Sequence, residues 1–137
     1  MPAALAEKHL GWYKDLDLAY EKAEERVRAE LQKEGFGILS EIRVHEKLKE
    51  KLGVTDFPKF TVLGACNPQL ANVALRQERD VGLLLPCNVT LEDVGGGRTR
   101  VAIVKPRALV DPFTENIIVC GVADDATERL RRVAEAL

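Results

Sequence analysis

Between Gly82 and Glu92 the side chains alternate in character: Leu83, Leu85, Cys87, Val89 and Leu91 share one parity, and Leu84, Pro86, Asn88, Thr90 and Glu92 share the other. Three glycines, Gly95, Gly96 and Gly97, follow, and then a second strand-like run from Thr99 to Val104. Successive side chains of a strand point to opposite faces, so this pattern predicts a hairpin with one apolar face and one wetter face. Such a hairpin is stable only inside a sheet whose apolar face is covered by another layer.

Helical periodicity occurs where it can supply that layer. Tyr20, Ala23, Val27 and Leu31 recur at helical spacing, with Asp17 as the expected N-cap and Gly35 as the expected left-handed stop after Glu34. Asn67 followed by Pro68 is a start signal for a second helix with Leu70, Ala71, Ala74 and Leu75 on its apolar face. Asp125 and Glu128 form a capping box, and Leu130, Val133 and Leu137 a seam, which predicts a last helix from about Asp125. Further strands are expected over Gly11 to Lys14, Gly37 to Ile42 and Phe60 to Ala65, the second with its alternation broken at Ser40 and Glu41. The charged run from Val44 to Leu52 reads as a short surface helix or a mobile excursion, and Ile117-Ile118-Val119-Cys120 suits strand or helix equally. The expected class is α+β: a two-layer sandwich with a mostly antiparallel sheet and helices packed on one face.

At 137 residues the chain is expected to form one domain. A net charge of −2 and a pI near 5.8 supply no basic footprint for nucleic acid. No apolar run approaches the roughly 18 residues that span a bilayer, and Met1 to Lys8 lacks the basic and apolar regions of a signal peptide. Three cysteines without a disulfide-framework spacing favour a reducing cytoplasm.

Two of those cysteines are each followed by asparagine, in Gly64-Ala65-Cys66-Asn67-Pro68 and Leu84-Leu85-Pro86-Cys87-Asn88-Val89. Cys66 stands just ahead of a helix start, where unsatisfied N–H groups carry about half a positive charge. That position is expected to favour thiolate and to pull the thiol pKa from about 8.5 into the range of roughly 3.5–7.5, suiting a nucleophile, a redox thiol or a soft metal ligand. The alternative is that Cys66, like Gly64 and Ala65, is a small residue filling a tight turn. Cys87 shares the parity of its apolar neighbours and is expected to be inert in the core. Asn67 and Asn88 are candidate ligand-binding amides, although capping explains Asn67 by itself. No zinc spacing involves His9 or His45, and Ser40 is the single serine, so neither a metal site nor a serine triad is expected. Gly95 to Gly97 lead into a strand and do not read as a phosphate cradle. Arg98 and Arg100 read as solvent-facing, and Lys105 or Arg107 would activate Cys66 only if the fold brought them close.

Gly35-Phe36-Gly37 with Ser40-Glu41-Ile42, then Leu63-Gly64-Ala65-Cys66-Asn67-Pro68 with Leu70-Ala71, then Leu83-Leu84-Leu85-Pro86-Cys87-Asn88-Val89, and finally Pro106, resemble the successive signatures of the domain-of-unknown-function 302 family. The resemblance runs from about Trp12 to the C-terminus, with Asn116 to Val122 departing from the pattern. It implies a small α/β fold and a homodimer, and it implies no established activity. The expected function is a small-ligand-binding domain with a site at Cys66, Asn67, Cys87 and Asn88, its cofactor unknown. The alternatives are a thiol-dependent redox or sulfur-transfer enzyme with Cys66 as nucleophile, and a dimeric interaction module whose motifs are architectural.

Overall fold

The computed structural model describes residues 4–137. The reading of the first residues, Met1-Pro2-Ala3, lies outside them. The hairpin forms as β5 (Cys87–Gly95) and β6 (Arg98–Val104), and around it assemble β1 (Leu5–Glu7), β2 (Gly11–Leu16), β3 (Gly37–Arg43) and β4 (Phe60–Cys66). The sheet order is β1-β2-β6-β5-β4-β3 and every neighbouring pair is antiparallel. Five helices among the described residues complete the fold: α1 (Tyr20–Lys33), α2 (Val44–Leu52), α3 (Pro68–Gln77), α4 (Pro106–Val110) and α5 (Ile117–Ala136). A short 3-10 segment, Arg79–Leu84, links α3 to the hairpin. The architecture is α+β, as expected, with α1 and α5 packed on one face of the sheet.

The core lies between those helices and the sheet. From the strands, Trp12, Leu63, Val89, Leu91, Val101 and Ile103 point into it; from the helices, Ala23, Val27, Leu31, Leu130 and Val133 meet them. Every one of the four positions chosen from helical spacing in α1 is buried. Lys14 shares this inner face, and its ammonium donates to the carbonyls of Ala134 and Leu137 at the end of α5, where the helix leaves acceptors unfilled. Toward the β3 edge a polar cluster closes the layer: Arg43 donates to Glu24 (2.9 Å) and to Thr61 Oγ1 (3.0 Å), and Tyr20 shares a hydrogen bond with Thr61.

Three local expectations are corrected. Asp17 does not cap α1; the N-cap is Ala19, with no side-chain cap bond, because Thr99 Oγ1 donates to Leu18 O at 2.9 Å and holds the preceding turn against the sheet. The strand expected from Gly82 starts only at Cys87. Arg79–Leu84 is helical and leaves Leu83 85% exposed, so only Cys87, Val89 and Leu91 keep the inward parity. Pro86 lacks the N–H a central strand must donate, which ends the ladder there. The last helix starts at Ile117 rather than near Asp125: Asn116 Oδ1 accepts from the N–H groups of Ile118 and Val119, and Asp125 is a mid-helix partner of Arg129. Of the two readings of Val44 to Leu52, the surface helix is the one that forms, with no buried residue.

The broken alternation of β3 has a cause. A bulge between Ile38 and Ser40 shifts the register, which returns Glu41 and Arg43 to the helix side, where they pair with each other and with Arg28 and Glu24.

Candidate functional site

The three signature blocks meet at one end of the sheet. Ala65 in β4 stands directly opposite Cys87 in β5, Gly37 opposite Cys66, and Ser40 opposite Gly64. Gly64 is required for this convergence: a Cβ there would lie 2.7 Å from Pro86 Cγ and closer still to Ser40 Oγ. One glycine thus allows side chains from the other two blocks to close over it.

The end of α1 makes the next contact. Gly35 takes φ +83°, Gly35 N–H donates to Gln32 O and Phe36 N–H donates back to Leu31 O, a Schellman stop. This turn buries Phe36 and leaves the Glu34 carbonyl facing Asn67. Asn67 then serves two chains of contacts: Oδ1 accepts from Leu70 N–H at 3.2 Å to cap α3, and Nδ2 donates to Glu34 O at 3.5 Å. Arg129 of α5 donates to the same carbonyl at 3.2 Å. Replacing Asn67 with alanine should cost about 1–2 kcal/mol, since it removes a cap and one partner of a helix-end carbonyl. Urea unfolding measures this, and a loss below about 0.3 kcal/mol would mean that water replaces both bonds.

Behind Asn67 lies a cavity between the ends of β4 and β5, α3, the 3-10 segment, α4 and α5. Phe36, Cys66, Asn67 and Cys87 line it together with Leu84, Val119, Val122 and Ala123, among others. The structure therefore brings Cys66, Asn67 and Cys87, three of the four candidate residues, to one cavity. Asn88 does not join them: it is exposed on the opposite parity of β5. Sequence reasoning missed Phe36 and the α5 residues. The signal for the latter was Val119, Ala123, Ala126, Leu130 and Val133, one continuous helical stripe that begins before the false capping box.

The Cys66 thiol differs from the expectation, whereas Cys87 is buried as its parity predicts. Burial pushes the Cys66 thiol up, not down. Cys87, buried and further opposed by the neighbouring Cys66, is pushed up to about 11. At the helix start Asn67 Oδ1 takes the N–H of Leu70, and Pro68 has none to offer. No lysine, arginine or histidine lines the cavity. Lys105 is engaged with Glu7 (2.7 Å), and Arg107 with Asp111 (2.6 Å) and Asp124 (2.8 Å). Both thiols are thus neutral at pH 7, and the arrangement provides an apolar chamber with soft, polarisable walls rather than an activated nucleophile. Cys120 lies apart, half-buried in α5 with its thiol toward Thr114 O at 3.7 Å. Among the described residues no group of three or more His, Cys, Asp or Glu is placed to hold a metal ion, and no helix is long and apolar enough to cross a membrane.

Comparison with known proteins adds to this picture. No curated protein matches the chain. The chain is similar over 91% of its length to the crystal structure of an uncharacterized conserved DUF302 protein from Bacillus stearothermophilus, with 95% of that chain covered, 30% sequence identity and a TM-score of 0.81. The sequence profile of the family described as "Domain of unknown function DUF302" matches residues 12–137, which include all three blocks that converge on the cavity. The chain belongs to the DUF302 family.

Proposed function

We propose that this domain binds a small ligand in the cavity walled by Cys66, Asn67 and Cys87. The observation that carries the reading is convergence: two motifs far apart in sequence, with the turn after α1, enclose one chamber. A thiol-dependent enzyme has less support, because both thiols are held protonated and no cation or general base adjoins them. A cytoplasmic setting accompanies the proposal, since all three cysteines are free thiols. The test is a fragment screen read from the backbone amide resonances of Cys66, Leu70, Cys87 and Ala123. Saturable shifts confined to that set support the site; a screen in which no fragment moves them removes it.

A second reading concerns the other face of the sheet, and it favours a homodimer. One row crosses all six strands without a charge: Ile42, Val62, Thr90, Ala102, Tyr13 and Ala6 are successive register partners. Beside it Arg100 stands between Glu92 and Asp15 and donates to Asp15 at 2.7 Å, so opposite charges on this face pair within one copy. Six strands about 4.8 Å apart and six or so residues long present roughly 600 Å², near the roughly 800 Å² per partner of a stable interface. A second copy suits a face with an uncharged row and paired charges beside it better than a strongly charged partner does. Sedimentation should therefore give about twice 15.2 kDa, and Ala102→Arg should shift the protein to monomer. A wild-type monomer at all concentrations would overturn the dimer.

A further inference from the structure

The cavity's walls say what kind of molecule it takes. Its lining carries no ionisable group except two neutral thiols, and its one amide, Asn67, has both its carbonyl oxygen and its NH2 group engaged by backbone. Among the described residues no buried side-chain polar atom lacks a hydrogen-bond partner, so none waits for a ligand to complete it. A charged or multiply hydrogen-bonding molecule would lose hydration there and regain nothing.

Size narrows the class further. The open space is about 60 Å³, room for about two water-sized groups, whereas an apolar cavity of about 150 Å³ is needed to admit benzene. A ring does not fit; the end of an aliphatic chain does. The rest of such a chain has a path. Leu84 and Val122 wall the cavity, and beside them Leu83 is 85% exposed and Ile118, one helical turn before Val122, is 48% exposed. The two elements that carry Leu84 and Val122 thus also present exposed apolar side chains at the surface.

We infer that the site takes the aliphatic chain of a lipid-like molecule, its last carbons seated against Cys66 and Cys87 and the following methylenes lying over Leu83 and Ile118. The head group stays in water and is not read by the cavity. This rests on the ligand-site proposal above and gives it a chemical class.

The experiment titrates the intact protein with 1-alkanols from propanol to octanol, with benzyl alcohol as the ring comparison, following the amide resonances of Leu84, Cys87, Val119 and Ala123. Affinity should rise about fourfold per added methylene, and benzyl alcohol should bind at least tenfold more weakly than hexanol. Ile118→Asp, at an exposed position that leaves the core intact, should flatten the rise beyond butanol while sparing the shortest alcohols. Ala123→Leu, checked for cooperative unfolding, should abolish the shifts. Saturable binding of benzyl alcohol or a polar fragment at these residues with no response to alkanols overturns the chain but leaves the ligand site standing. Silence from every probe overturns both. A rise with chain length that Ile118→Asp does not alter overturns the surface path.

Discussion

Gly64→Ala should lower stability by about 1–3 kcal/mol, one of the largest effects available from adding a single methyl group to this chain. Glycine within a strand ordinarily costs about 0.5–1 kcal/mol relative to alanine, so a neutral site would respond in the opposite direction. Here the new Cβ meets Pro86 Cγ at 2.7 Å and presses on Ser40 Oγ. Ser40 is exposed and its hydroxyl can rotate away, whereas the proline ring is fixed to the start of β5. Ser40→Ala combined with Gly64→Ala should therefore recover only part of the loss, with the remainder belonging to Pro86. A double-mutant cycle in urea gives the coupling between Ser40 and Gly64, expected at about 0.5–1 kcal/mol. An unfolding midpoint for Gly64→Ala equal to that of the wild type would mean that the three blocks are not locked together at this point.

The parts of this architecture that were legible are those with a period of their own. Cys87, Val89 and Leu91 alternate because β5 is buried on one face, and Tyr20, Ala23, Val27 and Leu31 recur because α1 is buried along one stripe. Leu83 and Leu85 extended the same alternation by coincidence. The 3-10 turn they flank is too short to impose a period, so Gly82 and Pro86 were the informative residues. Asp125 and Glu128 have the spacing of a capping box, yet Asp125 instead pairs with Arg129 on the outside of a helix already two turns long. Four consecutive apolar or small residues, Ile117 to Cys120, carry no alternation from which helix could be told from strand, and Asn116 was the overlooked cap.

The grouping of three of the four candidate side chains was legible, and their chemistry was not. Cys66, Asn67 and Cys87 were placed together from two repeated dipeptides, and they share a cavity. Asn88 went with them by analogy, although strand parity alone sends it to the other face. The thiol pKa of Cys66 was read from the field at a helix start, a local property that sequence shows. Burial, which decides the sign, depends on α3 and α5 closing over the sulfur and is absent from any short window.

The neutral thiols have a measurable consequence in alkali. An unfolded cysteine titrates near 8.5, and folded Cys87 near 11, so between these values the folded state holds a proton that the unfolded state releases. Stability from this group is complete below pH 8.5 and is lost as pH rises toward 11, by about 3 kcal/mol in all. Burial also raises Tyr20 and lowers Lys14, and these act in opposite senses in the same alkaline range. The comparison that isolates Cys87 is therefore the wild type against Cys87→Ala: the variant should be less stable at pH 7 because packing is lost, but its stability should fall less steeply above pH 8.5. Alkylation reports the same proton directly. At pH 7.5 native Cys87 should react with iodoacetamide at least about 300-fold more slowly than in urea, from the pKa difference alone. Half-buried Cys66 should fall between Cys87 and a free thiol. A fast phase at Cys66 near neutral pH, absent in Cys66→Ser, would show a stabilised thiolate and move the enzyme reading ahead of the ligand-binding one. Parallel pH–stability curves for the wild type and Cys87→Ala would show that Cys87 titrates normally and that water reaches the cavity.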